Sequence, residues 1–498
     1  MNNLSIFEVP TYGEVTLCEV DGKVHSMHYE FANIAAFTNS LETHPNIHIT
    51  PNLLHRRSDE GKSVFVTVDE PFLKRLIHAY YEHGMIEMLN TAEEFGPSYL
   101  KNIVSVVFLV LNGVKILRNK LTSTTIENDL TLMSCISHTR FWMTSSIRCI
   151  AWDSYDIKIA VATCDDAIRI YSHNSNFIPI LKCKQQKNIT CLAWRPFSNS
   201  ELAVGCENGI FVWNIDQTSM ITRPSINNAS ILRRINHVPV VSIAWSPTGD
   251  ILASAAARDP SILIWHVERN ETSTLSMPGS HGNCLVKWSP RGNKLLTATV
   301  ERVFRIWNCE TWTSERWNVL TGRIQACCWS PCEGIVLFVS NTEPIIYALS
   351  FTHLEMIFAT SENSATLATP LYDLSRGEID GVIIGGTVQN MEWDPRNNIV
   401  AVLFQDTNYV AIFKVTIDPT IHLNPCCLVA GVPDEKPVCI SFQGNFEHGA
   451  CLSIGWSSGR VQHFPIVRPE ATTSSSIISK EFYNSSSFHN SGTSFKSP

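Results

Sequence analysis

Charge is scarce in this chain. Of its 498 residues only 17% are Asp, Glu, Lys or Arg, and the formal balance is −8, against roughly a quarter charged in ordinary soluble domains. A charge-poor acidic protein is excluded from broad nucleic-acid binding by phosphate neutralisation. Its densest basic groups are only His55-Arg56-Arg57 and Arg233-Arg234. Long apolar runs are missing too. Residues 103–111, continued after Asn112-Gly113 by 114–117, fall short of the roughly 20 residues that span a bilayer. The opening Met1-Asn2-Asn3-Leu4-Ser5 has no charged region leading into an apolar core, so it reads as no signal peptide. Cysteine itself is plentiful at 16, but no Cys-x-x-Cys pair exists. Cys327, Cys328 and Cys332 cluster, yet neighbours on a strand point to opposite faces and cannot serve one metal. Buried thiols in a reducing compartment, and no metal, are expected.

Catalytic signatures are equally sparse. There is no P-loop, no His-Glu-x-x-His and no dinucleotide glycine turn. Gly455-Trp456-Ser457-Ser458-Gly459 spells the Gly-x-Ser-x-Gly of a nucleophile elbow, which works only on a strand–turn–helix. Here it lies between two strand-like runs with no helix behind it. The sequence therefore predicts no enzyme, no cofactor and no small-molecule substrate.

What the chain does have is a phrase repeated seven times between Ile147 and Ile466. Each copy is an alternating apolar run closed by an aromatic residue, a turn that is often Ser-Pro or Asp-Pro, then further short strands. The closing aromatics are Trp152, Trp194, Trp245, Trp288, Trp329, Trp393 and Phe442, spaced by 42, 51, 43, 41, 64 and 49 residues. Within a copy Val241, Ile243 and Trp245 share one face and Ser242 and Ala244 the other, as a strand requires. Proline fixes its own φ and withholds a ladder donor, so the first strand ends there. Second strands are small and apolar, such as Leu252-Ala253-Ser254-Ala255, and third strands carry another aromatic, such as Ile262-Leu263-Ile264-Trp265. A period of about 40–45 residues holding such strands predicts blades stacked around a ring.

These copies resemble the WD40-repeat family, which implies an all-β, seven-bladed WD40-type β-propeller. The eponymous Trp-Asp is worn away: third strands end Trp213-Asn214, Trp265-His266 and Trp307-Asn308, while Trp152-Asp153 and Trp393-Asp394 close first strands. Only the third copy offers the family's structural tetrad, as His237, Ser254, Asp259 and Trp265, read as fold glue. The expected domains are a loop and strand segment over 1–65, a helical segment over 66–125, the propeller over 126–468 and a disordered Ser-rich tail over 469–498. The helical spacing of Phe72, Leu73, Leu76, Ile77, Tyr80 and Tyr81 gives one helix over 69–90, capped by Asp69, and a second, largely apolar, follows over 98–121. Residues 14–20 or 130–134 are the candidates for a ring-closing outer strand, the first being favoured. Residues 350–387 are expected to form a long exposed insertion.

Several further phrases lie in loops between blades: Gly13-Glu14-Val15-Thr16-Leu17, Trp312-Thr313-Ser314-Glu315-Arg316-Trp317 and Glu343-Pro344-Ile345-Ile346-Tyr347. They are similar to the WD-repeat nucleoporins. That resemblance implies a non-enzymatic scaffold of the nuclear pore complex, held at the nuclear envelope by a transmembrane nucleoporin, with indirect membrane association and no direct nucleic-acid contact. It also implies a role in nucleocytoplasmic protein transport and in spindle organisation, at the spindle pole or centrosome in mitosis. Candidate interaction loops carry Arg258 and Pro260, Glu301 and Arg302, and Glu343 and Pro344. Two alternatives come from look-alike motifs. Trp393-Asp394-Pro395-Arg396 matches the docking motif of WD40 substrate receptors of ubiquitin ligases, and Leu232-Arg233-Arg234-Ile235 is similar to a phosphoinositide-binding motif of other propellers.

Overall fold

The computed structural model describes residues 4–32, 47–49, 126–173, 177–198, 200–215, 222–234, 236–269, 271–277, 280–351, 368–379, 381–417 and 420–468. Seven sheets stand around a ring, antiparallel but for one parallel pair in the seventh. Their innermost strands are Ile147–Trp152, Cys191–Trp194, Val240–Trp245, Asn283–Trp288, Ile324–Trp329, Val388–Trp393 and Pro437–Phe442. Neighbouring innermost strands touch all the way round, the seventh meeting the first. Blades one to six run outward in chain order through four strands each. The second strands are buried throughout and rich in alanine: Ala160 and Ala162, Ala203, Ala253 and Ala255. A side chain of one carbon lets flat sheets approach closely on both faces.

The innermost tryptophans explain why this residue recurs at the end of the first strand. Trp194 Nε1 donates to the carbonyl of Ala151 at 3.1 Å, Trp245 to Ala193 at 3.2 Å, Trp288 to Ala244 at 3.0 Å and Trp329 to Lys287 at 3.3 Å. Each acceptor immediately precedes the tryptophan of the previous blade, so the indoles clip four consecutive seams. Trp152 closes the seventh seam differently, on Ser453 Oγ at 2.9 Å. Trp393 turns back to Asn397 of its own blade. Phe442 has no indole N–H, and there its backbone amide donates to the carboxylate of Glu392, again the residue before a tryptophan. Cations cover two of these rings: Lys158 lies 4.6 Å over Trp194 and Arg195 5.3 Å over Trp245.

The seventh blade takes its outer strand from the other end of the chain. Glu14–Val20 pairs with Arg460–Val467 in parallel, at Glu19↔Ile466 and Val20↔Val467. Ile47–His48 pairs antiparallel with the start of the same strand. Thr16 Oγ1 both donates to Ala430 O and accepts from Ala430 N, in blade six, while Gln462 Nε2 donates to Thr16 O at 2.7 Å. Upstream, Leu4 and Phe7 enter the apolar core shared by blades five and six, where Phe7 meets Phe413 edge-on at 5.3 Å. The N-terminal segment therefore binds three blades together rather than one.

Two expectations change. Residues 130–134, the other candidate closing strand, are helical within Ile126–Ile136, where the buried Met133 and Ile136 stand three residues apart on one helix face. Two compact units divide the chain as residues 1–49 with 136–498, and residues 50–135. Finally, the 350–387 insertion holds blade five's outer strand, Thr369–Asp373, and a small hairpin of Gly377–Ile379 with Val382–Ile384. The helices expected over 69–90 and 98–121 and the tail over 469–498 lie outside the described residues.

Candidate interaction surfaces

In every blade the innermost strand starts, and the second strand ends, at one face of the ring. That upper face therefore carries each link between second and third strands, and each lead-in to an innermost strand. All three sequence-predicted loops fall on it, in the consecutive blades three, four and five. Pro260 and Arg302 are exposed, as is Arg258. The acids are tied down. Glu301 Oε1 accepts from His281 Nδ1 at 2.6 Å and from its backbone amide at 3.0 Å. Glu343 accepts from Thr321 Oγ1 at 2.6 Å and from Tyr347 Oη at 3.0 Å. Each carboxylate thus braces its loop against an inner segment of its own blade.

Asp259, between Arg258 and Pro260, belongs to the tetrad, and the structure brings all four members together. His237 Nδ1 is 2.7 Å from Asp259 Oδ2, His237 Nε2 is 2.7 Å from Ser254 Oγ, and Trp265 Nε1 donates to Ser254 Oγ at 2.8 Å. A proton on Nδ1 satisfies the chain: the imidazole donates to the carboxylate and accepts from the serine, which accepts from the indole. Burial pushes the Asp259 carboxyl up, but hydrogen bonds from His237 and Ser261 outweigh it and hold the group below its ordinary range. No acidic or nucleophilic atom is left poised. In blade four Thr297 stands in for the serine, accepting from Trp307 at 2.9 Å, and in blade two Gln186 accepts from Trp213 at 2.8 Å. The worn repeats keep the indole satisfied by different residues.

Sequence reasoning missed the strap over the axis. Residues 137–142 cross the upper face and bond to the beginnings of five blades. Ser137 O accepts from Gln325 Nε2 at 3.3 Å and from Gln389 Nε2 at 2.6 Å, and the Arg140 amide donates to Val438 O at 2.8 Å. Thr139 Oγ1 bonds Arg148 O, and Trp142 Nε1 donates to Ile189 O at 3.1 Å. Withdrawal from water, reinforced by Lys287 and Arg323, pushes His138 on this strap down to about 3, so its ring stays neutral. The one signal was a glutamine, Gln325 and Gln389, at a position where other copies carry Arg148, Thr190, Val241, Cys284 or Val438. Buried strap carbonyls need such donors.

The look-alike motifs sit where they are occupied. Gly455–Gly459 spans the tight link between the strands Gly449–Trp456 and Arg460–Val467; Ser457 Oγ accepts from Lys436 N, and Ser458 Oγ donates to Glu435. Asp394 spends one carboxylate oxygen on the amides of Arg396 and Asn397 in its own turn. Arg234 Nη1 donates to Thr274 Oγ1 at 3.0 Å, and Ile235 lies outside the described residues. Burial pushes the thiols of Cys327, Cys439 and Cys451 up to about 12, which keeps them protonated and unreactive.

A ring of seven blades, six of four strands and the seventh extended by the N-terminal segment, with a His–Ser–Asp–Trp tetrad, defines a WD40-type propeller. Within that class, residues 128–467 match the family model described as the Aladin seven-bladed propeller, and the chain belongs to that family. It is similar to Aladin of Arabidopsis thaliana, 27% identical over 327 residues that make up 60% of this chain and 71% of that protein. It is also similar to WD repeat and HMG-box DNA-binding protein 1 of Mus musculus, 26% identical over 162 residues, 30% of this chain but 14% of that one. Among solved structures, the β-propeller domain of Cps50 (Swd1) from Myceliophteria thermophila superposes with a TM-score of 0.49 at 14% identity, covering 64% of this chain and 96% of that one.

Proposed function

We propose that this propeller is a non-enzymatic scaffold of the nuclear pore complex, docked at the nuclear envelope through a transmembrane nucleoporin and supporting nucleocytoplasmic protein transport. The family match across residues 128–467 carries the reading. The chemistry agrees with it: the titratable groups gathered in the tetrad and the turns bond to one another. In this reading the upper-face loops with Arg258, Pro260, Glu301, Arg302, Glu343 and Pro344 form the contact patch for the anchor. Three adjacent blades present them, and rigid strands fix their spacing. Membrane association is then indirect, through protein partners, and in mitosis the same scaffold serves spindle organisation at the pole. Fluorescent tagging of the full chain tests the proposal. A punctate nuclear rim is expected; a diffuse cytosolic signal overturns it.

A further inference from the structure

Ring closure needs four strands in blade seven, and Glu14–Val20 completes them. The sheet nevertheless continues into a fifth, Lys23–His28, through a two-residue turn in which Asp21 and Gly22 have φ of 51° and 78°. Positive φ at both central residues is the type I′ geometry that suits a twisted hairpin. All six residues of this added strand are exposed, and it forms the sheet's outer edge. Such an edge is a template for another strand unless it is blunted. The ring blunts its other edges: Ile180–Leu181 has two residues, Ala229–Leu232 four, Thr369–Asp373 contains Pro370, and Ile421–Ala430 contains Pro425. Glu271–Ser276 and Thr313–Asn318 are dominated by hydroxyl, amide and charged side chains. Lys23–His28 is also polar at Lys23, His25, Ser26 and His28, but it intersperses the apolar Val24 and Met27. It has no proline, and the register shift of this hairpin lies on its partner, between Thr16 and Cys18.

Backbone direction can be read from the register. The amide of Tyr29 donates to Gly13 O, which makes Met27 the next inward-facing position and turns the amides of Ser26 and His28 outward. Beyond the shift, the turn pair Val20↔Lys23 turns Val24 outward as well. The carbonyl of His28 accepts from the amides of Phe31 and Ala32 at 3.0 Å, so among the described residues Val24 and Ser26 present both N–H and C=O outward and His28 its N–H alone. Beside them stand Val24 at 38% and Met27 at 44% exposure, with Phe31 at 75% just past the strand's end. Lys23 makes no ion pair among the described residues, whereas Glu14 is already engaged by Ser26 Oγ at 3.0 Å.

We infer that this edge is a docking site for an extended segment of another protein, added as a further strand beyond Lys23–His28. Unpaired backbone groups at every second residue select an extended peptide. The apolar side chains select valine- or isoleucine-like residues, and the free ammonium of Lys23 selects a carboxylate at the end beside the turn. The inference stands independently of the nuclear-pore reading, since it concerns the rim of blade seven and not the upper-face loops.

The probe is a fluorescein-labelled nonapeptide of alternating valine and glutamate, titrated against the full chain by fluorescence anisotropy, with hydrogen exchange followed in parallel. Saturable binding is expected, with slowed exchange across residues 23–28. Ser26→Pro removes an outward N–H while leaving the inward ladder intact, and should weaken binding about tenfold or more; Ser26→Ala should not. Lys23→Glu should weaken the glutamate probe and favour its lysine counterpart, an arm that holds even if the proline variant misfolds. Absent binding, or equal binding by the Ser26→Pro and unaltered chains, overturns the site. Concentration-dependent self-association abolished by Ser26→Pro overturns the foreign partner in favour of a second copy.

Discussion

Two kinds of buried polar atom govern this ring at the scale of single residues, the indole N–H groups and the carboxylates, and each can be tested by removing its partner. Ser254 bonds both His237 and Trp265. Ser254→Ala strands two buried groups at once and should cost about 2–4 kcal/mol, read as a lower unfolding midpoint by calorimetry. Asp259 supplies a pH signature. Its folded pKa lies below the ordinary 3.8, so its stabilisation is complete above that value and is lost as pH falls through the folded one. The acid limb of the stability profile should be shallower in Asp259→Asn than in the unaltered chain. Glu19 carries the opposite sign. Burial raises its pKa above the ordinary 4.5, with Arg468, Cys427 and Lys414 only partly compensating. Its ionisation therefore works against the closed seam as pH rises. Glu19→Gln should raise the melting temperature at pH 7, and the gain should vanish near pH 4.

At the scale of elements, the seams between blades are the units of stability. Trp245→Phe keeps the apolar ring but deletes the bond to Ala193 and should cost about 1 kcal/mol, measured by denaturant unfolding. The tryptophans themselves were plain in the sequence, because a large aromatic every forty-odd residues is a local pattern. Their partners were not, because the acceptors are backbone carbonyls of the preceding blade, which no side-chain pattern reports. Ring closure follows the same division. Residues 14–20 read as strand-like in the sequence, but their parallel pairing with residues 460–467 and their grip on Ala430 depend on where the ring ends. Residues 130–134, the other candidate, are helix.

On the whole-molecule scale, one face is crossed by the strap of residues 137–142 and also carries three consecutive loops of mixed charge. Reversing exposed charge there, as Arg258→Glu with Arg302→Glu, should dim the nuclear-rim signal severalfold while leaving the melting temperature within about 1 °C, since surface substitutions cost little stability. Loss of the rim together with a large fall in melting temperature would count against a contact role. The repeat alone determined the fold class, the blade count and the strand order, because alternation and period are properties of neighbouring residues. Only the tertiary structure decided that the first-strand tryptophans are clips between blades, that the tetrad is a closed chain of hydrogen bonds, and that a surplus strand forms the outer edge of blade seven among the described residues. Each of those depends on atoms brought together from distant parts of the chain, and a local pattern cannot encode which edge is left unpaired once a ring has closed.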